Sequence, residues 1–206
     1  MSMRGGYDEG YKACTCFWGR QPGRLVIRLY EHIHTFAGLR VLDVGCGEGK
    51  NAAFLAGHGA EVSAIDVSAA AIRNAKMAWP ELDRVAWEVA DISALKLTSD
   101  SYDVVVLYGI LHCLDSADEV RAIIERLGQA TRAGGYHVVC AFNDRRQELH
   151  AHPGFSPTLL KHEAYLDLYR GWHHLFATDT DLYETHPHNN IPHTHSMTRI
   201  IAQKED

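Results

Sequence analysis

A chain of 206 residues is long enough for one sizeable core and short for two, and 46% apolar with 22% charged residues is a globular composition. A formal net charge of −6 with scattered Lys and Arg offers no basic stripe to displace counterions, which argues against a nucleic-acid partner. No apolar run spans a bilayer, the start MSMRGGYDEGYK lacks a signal peptide's apolar stretch, and five cysteines without a framework spacing read as reduced thiols, so a cytoplasmic monomer or homodimer is expected.

Residues 1–19, rich in Gly and aromatics, read as an arm rather than a core element. Pro22 opens an expected helix over 22–37, with Leu25, Val26, Leu29, Ile33 and Phe36 on one face and Gly38 as its stop. From Arg40 strands and helices alternate. Strands are expected over 41–44, 61–66, 85–89, 102–107 and 135–142. Helices are expected over 51–58, from a Ser68 cap to about Trp79, and over 118–131. This alternation means right-handed βαβ units and a parallel sheet covered on both faces. After a helix around 159–169, the strand-like runs 172–183 and 194–202 have no helix between them and should pair as a hairpin. The expected fold is α/β: one doubly wound, Rossmann-like, mainly parallel sheet with a C-terminal antiparallel β-hairpin strand at one edge.

The strongest feature is Val-Leu-Asp-Val-Gly-Cys-Gly-Glu-Gly over 41–49, a glycine turn between strand and helix where such sheets bind ligands. The acid expected some twenty positions on is Asp66, beside Val67, placed to take both hydroxyls of an adenosine ribose. A dinucleotide fingerprint is G-x-G-x-x-G/A with its pyrophosphate at the helix N-terminus, whereas this loop is G-x-G-x-G. Asp43 and Glu48 would also stand against a pyrophosphate but suit a cation. The loop therefore favours S-adenosylmethionine (SAM), whose methionine part carries an ammonium and a sulfonium, over NAD.

With Asp66, the 41–49 segment resembles motif I and its partner acid in class I SAM-dependent methyltransferases. The resemblance covers about residues 40–142. It implies SAM contacts at Asp43, Gly45, Gly47, Asp66 and Val67, an adenine flanked by Asp91 and Ile92, and a methyl-transfer site lined by Tyr108 and His112. S-Adenosylhomocysteine would be the product. Cys16-Phe17-Trp18-Gly19 with Pro22, Asn51 in the first core helix and the hairpin tail are similar to the tellurite-resistance (TehB-like) branch. In that branch an aromatic arm folds over the cofactor, which implies contacts from Trp18 and Asn51. One departure matters. Members of that branch carry basic residues in the tail that suit an oxyanion, and this chain offers Glu184, Thr185 and neutral histidines. On this division 1–37 is arm and first helix, 38–142 the SAM-binding core, and 143–206 the substrate region.

Methyl transfer is an in-line displacement that needs reacting atoms about 3–3.5 Å apart and water excluded. Tyr7, Tyr11, Phe17 and Trp18 fit a lid, with Tyr11 and Phe17 toward the acceptor; a plain hydrophobic clasp is the rival reading. Cys46 reads as a small residue packed near the cofactor. A soft sulfur, selenium or tellurium nucleophile needs no base, whereas an amine or hydroxyl does, and His112 is the best-placed candidate unless it merely shapes the pocket. Nine of the fourteen histidines lie between His150 and His195. On a strand His193 and His195 share one face; with Glu184 they could contact or activate an acceptor or bind a metal, while His186 and His188 read as solvated loop residues. No metal is assigned. The rival functions are a non-catalytic SAM- or metal-binding module and a nucleic-acid or protein methyltransferase. The latter is disfavoured because Tyr108-Gly109-Ile110-Leu111 replaces an (N/D)-P-P-Y stretch.

Overall fold

A computed structural model describes residues 7–186 and 190–205. Its strands are β1 (Arg40–Val44), β2 (Glu61–Asp66), β3 (Val85–Val89), β4 (Tyr102–Tyr108), β5 (Thr131–Gln147), β6 (Trp172–Glu184) and β7 (His193–Lys204). Its helices are α1 (Asp8–Ala13), α2 (Arg24–Ile33), α3 (Lys50–Gly57), α4 (Ala69–Ala78), α5 (Ala117–Ala130) and α6 (His162–Asp167). All strands join one sheet in the order β3-β2-β1-β4-β5-β7-β6. The first five are mutually parallel, and β7 runs antiparallel to both β5 and β6. The chain's path reverses between β1 and β4, and a sheet of this kind opens its ligand crevice at that reversal, at the carboxyl ends of the strands. Among the described residues no helix is long and apolar enough to cross a membrane.

The central strands are apolar on both sides because both sides are covered. Val104, Val105, Val106 and Leu107 are all fully buried. Leu25, Val26 and Leu29 of α2, with Phe36 beyond it, pack one face; Val120, Ile123, Ile124 and Leu127 of α5 pack the other. The α5 residues recur at i, i+3, i+4 and i+7, which gives one apolar stripe. Ser116 starts α5 by accepting the Glu119 N–H at 3.1 Å, a cap that contributes about 1 kcal/mol.

Four elements depart from the sequence expectation. Helix α2 ends at Ile33, well short of Gly38, because His34 takes the left-handed conformation (φ 63°); Phe36 reaches the core from the turn that follows. The arm contains a helix, and it joins the core: Tyr11 and Phe17 bury themselves against Ala70 and Ala71 of α4. Strand β5 starts at Thr131 and runs to Gln147, where it pairs with His195 beyond a register shift. Helix α6 is only His162–Asp167, because Leu160 ahead of it is extended and bridges Asn143, its carbonyl accepting the Asp144 N–H at 3.1 Å.

Candidate active site

The 41–49 segment turns at the carboxyl end of β1. Gly47 and Gly49 both adopt the left-handed region, at φ 54° and 79°. A Cβ on Gly47 would come within 2.9 Å of the Tyr11 hydroxyl, and one on Gly49 would strike the Trp87 ring. Glycine is therefore required by backbone conformation and by space together. Cys46 is buried in the same turn and donates its backbone N–H to the Ile65 carbonyl.

Two carboxylates face this turn in different states. Asp43 is 1% exposed, and its Oδ2 has no hydrogen-bond partner among the described residues. Burial pushes its carboxyl up to about 7, opposed mainly by the Ala52 N–H. A buried acceptor without a donor is destabilising unless a cation or a donor meets it. Asp66 is satisfied: Oδ2 accepts the Gly47 N–H at 2.9 Å and Oδ1 the Ser68 N–H at 2.8 Å. Each oxygen keeps a second lone pair, so the carboxylate braces the turn and can still accept from a ligand.

Glu48 corrects the electrostatic expectation. Its carboxylate does not join Asp43 in the cradle; Oε1 accepts the Cys16 N–H at 2.8 Å and Oε2 the Phe17 N–H, while Asn74 Nδ2 donates to Oε1 at 3.0 Å. Its charge holds the arm. Asn74 also donates to the Tyr11 carbonyl at 2.7 Å, and Ser68 Oγ donates to Asp8 at 2.6 Å. With these contacts made, the Tyr11 hydroxyl lies over Gly47 and accepts the Trp18 indole N–H at 3.2 Å. Asn51 stands in the first core helix, α3, as expected. It is buried, and its Oδ1 accepts the Gly23 N–H at 2.8 Å, so it anchors the segment ahead of α2.

The other expected cofactor residues stand along the same edge. Val67 is exposed just past β2; Ile92 is buried past β3; Asp91 accepts the Ser93 N–H at 2.8 Å; Tyr108 ends β4 half-buried, its ring against Gly23.

His112 is 2% exposed and stacked on Phe142 at 3.9 Å between centroids. Its Nδ1 accepts the Phe142 N–H at 3.1 Å, which puts the ring proton on Nε2. Burial drives its pKa down to about 3. A weakly basic ring whose free nitrogen is already taken shapes a wall, so the expected role as a base does not fit this geometry.

The tail histidines converge. His193 and His195 are 1% and 0% exposed, share a face of β7, and point Nε2 at His152 Nε2 from 3.1 and 3.2 Å. Glu184 pairs with His193 across the hairpin, and its Oε1 lies 3.7 and 3.8 Å from Nε2 of His193 and His195. His186 corrects another expectation. It is 2% exposed, stacks on Phe17 and meets Trp18 edge-on, with Nε2 3.2 Å from His152 Nε2. His188 lies outside the described residues. Burial and the neighbouring His152, His193 and His186 take His195 down to about 3, so it is neutral at pH 7. His152 joins the group from the loop after β5; only the general histidine enrichment of 150–195 pointed toward it.

With this geometry in view, known proteins place the chain. Residues 41–135 match the family model of a methyltransferase domain. Over these residues the chain is similar to a methyltransferase domain. An uncharacterised methyltransferase of Mycobacterium tuberculosis is 35% identical over 102 residues, 50% of each chain. The chain spans about half the length of the curated relatives it matches first. Two solved structures share this fold. One, from work on conversion of a disulfide bond into a thioacetal group in echinomycin biosynthesis, has a TM-score of 0.75 at 23% identity over 98% of this chain and 92% of that one. The other, TehB from Haemophilus influenzae, has a TM-score of 0.74 at 22% identity over 89% and 62%.

Proposed function

We propose that this chain transfers the methyl group of SAM to a neutral small-molecule acceptor through a sulfur, selenium, nitrogen or oxygen atom. The observation that carries the reading is the Asp43 oxygen: a buried carboxylate atom without a donor, at the carboxyl end of β1 and inside a glycine turn. An ammonium fits that atom, and a phosphate is repelled by it. Asp43 would hold the methionine ammonium, the second lone pairs of Asp66 the ribose hydroxyls, and Val67 with Asp91 and Ile92 the adenine. Bound there, SAM supplies an electrophilic methyl group on a sulfonium.

This chain's own residues then have to align and dry the reaction. The Tyr11–Phe17–Trp18 arm closes over the glycine turn and excludes water, while His112 and Phe142 form a stacked wall. The tail's arginines do not suit an oxyanionic acceptor. Arg145 is paired with Asp179 and Asp181, Arg146 with Glu148, and Arg199 donates to Thr180. The clustered imidazoles and Glu184 remain to meet the acceptor. That chemistry favours a thiol, amine or hydroxyl over tellurite. Calorimetric titration tests the cofactor assignment: SAM and S-adenosylhomocysteine bind, NAD does not, and Asp66→Ala weakens both active ligands. An acceptor screen coupled to S-adenosylhomocysteine release tests the rest. NAD binding with SAM inert would overturn the reading.

A further inference from the structure

The structure assigns a transition-metal site to His152, His193, His195 and Glu184, beside the aromatic arm. Four ligand atoms, one from each residue, lie within 4.8 Å of one another. A zinc–nitrogen distance of about 2.05 Å in a tetrahedron separates neighbouring ligand atoms by about 3.3 Å. The Nε2 atom of His152 stands 3.1 Å from that of His193 and 3.2 Å from that of His195, close to such an edge.

Proton positions make this more than a cluster. His193 Nδ1–H donates to the Ile191 carbonyl at 2.7 Å, and His195 Nδ1–H donates to Gln147 Oε1 at 2.7 Å. Gln147 cannot be flipped without loss, because its amide nitrogen already donates to the Asn143 and Ser196 carbonyls at 2.7 and 2.9 Å. Both rings therefore turn an Nε2 lone pair inward. His152 Nε2 is within hydrogen-bond range of both of these Nε2 atoms and of the Nε2 of His186. A single proton there serves one of them, whereas a cation serves several at once. An outer carbonyl or amide oxygen that fixes each imidazole is the usual support of a histidine metal ligand.

Three imidazoles and one carboxylate, with no cysteine among the described members of the group, suit zinc or another first-row divalent ion; calcium and magnesium prefer all-oxygen sites. The ligands span three elements, the loop after β5, the end of β6 and the start of β7, so the site needs the finished sheet. Its place matters too. His186 bridges the cluster to Phe17 and Trp18, and Phe142 lies between the His195 and His112 rings. The metal would thus stand in the acceptor chamber and take the acceptor's heteroatom as a further ligand; this second part rests on the methyltransferase reading. For a thiol, the proton leaves to solvent on ligation, and the sulfur lone pair forms the new S–CH₃ bond as the sulfonium S–CH₃ bond breaks.

The test uses the untagged full chain, stripped with a chelator and titrated with Zn²⁺ against a chromophoric competitor, with Co²⁺ as a spectroscopic probe. One zinc per chain and visible Co²⁺ bands are expected. His152→Ala and His195→Ala should weaken zinc binding by about 100-fold or more, and Glu184→Gln by about 10-fold. His152 lies on a loop and leaves β7 intact, so its variant keeps the test valid if His195→Ala fails to fold. SAM titration of the same samples is read separately. Zinc without SAM binding leaves the metal site standing and removes the methyl-transfer reading; SAM without zinc binding does the reverse. Undiminished zinc affinity in His152→Ala and Glu184→Gln, or its loss only in Cys14→Ser/Cys16→Ser, would overturn the assignment.

Discussion

Replacing Glu48 with Gln isolates the force that keeps the arm on the glycine turn. The wild-type carboxylate accepts backbone N–H groups from Cys16 and Phe17 and the amide of Asn74, all where water is excluded. Glutamine keeps one acceptor oxygen and presents an NH₂ to the other backbone N–H, so one bond becomes a donor–donor contact and the survivor loses its charge. Hydrogen bonds to charged groups contribute about 1.5–3 kcal/mol each, and a buried donor left unmet costs about 1–3 kcal/mol. A loss of roughly 2–4 kcal/mol in arm docking follows, or about 30- to 1000-fold in the closed-to-open ratio. Burial of Tyr11 and Phe17, about 1.5–3 kcal/mol each, still favours the docked arm, so the sheet should stay intact. Hydrogen exchange reads this directly. The Cys16 and Phe17 amides should exchange at least about 30-fold faster in Glu48→Gln, and SAM affinity should weaken, while amides of Val104–Leu107 keep their protection. Unchanged exchange at Cys16 and Phe17 would show that aromatic packing alone holds the arm, and the latch argument would be wrong.

Three further outcomes follow from the same contacts. Asp43→Asn should weaken SAM by about 30-fold or more yet lower stability by no more than about 1 kcal/mol, since it removes a buried carboxylate whose Oδ2 lacks a donor; parallel calorimetry and urea unfolding separate the two. Gly49→Ala should destabilise the fold by about 2–4 kcal/mol through its φ of 79° and the Trp87 ring, whereas Gly47→Ala should act mainly on the Tyr11 contact and cofactor affinity; thermal melts with and without SAM rank them. His137, buried between Thr131 Oγ1 at 2.9 Å and the Tyr169 hydroxyl at 3.0 Å, is held down to about 3 from 6.5 by burial. The unfolded chain takes up the proton first as pH falls, so this contribution is intact above pH 6.5 and shrinks by about 1.4 kcal/mol per unit below it, toward pH 3. Urea unfolding across that window checks the slope, which should flatten in His137→Gln.

What could be read in advance was local, and what could not was long-range. Strand β2 (Glu61–Asp66) and the Ser68 cap stand where the apolar runs and capping chemistry put them, because each depends on neighbours within a few residues. The alternation of strands and helices followed from period alone, and the antiparallel hairpin from the missing crossover helix. Glu48 shows the other case. Nothing near it in the chain says that its oxygens will find Cys16 and Phe17, 32 and 31 residues away. The arm lacked regular apolar spacing because its packing comes from one six-residue helix and the turn after it, and α2 stopped at His34 through a left-handed residue that ranks low among helix stops. His152 meets His193 and His195 across 41 and 43 residues, with Gln147 brought in by an irregular stretch of β5 that no alternation pattern marks.

The charge in the site is consequently sorted more sharply than a count of acids suggests. With Glu48 committed to the arm, the negative character of the glycine turn falls on Asp43 and Asp66, one with an oxygen that has no donor and one already braced. Across the arm stand the clustered imidazoles and Glu184, and Arg145 and Arg146 of the tail are ion-paired elsewhere. A cation belongs on the first side, and the second repels no neutral guest. The cations within electrostatic reach of Glu184 are Lys50, which donates to the Trp18 carbonyl at 3.1 Å, and Arg199, which donates to Thr180, while the lone pairs of His193 and His195 turned inward favour something electron-poor. In this geometry that is a metal ion ahead of a tellurite.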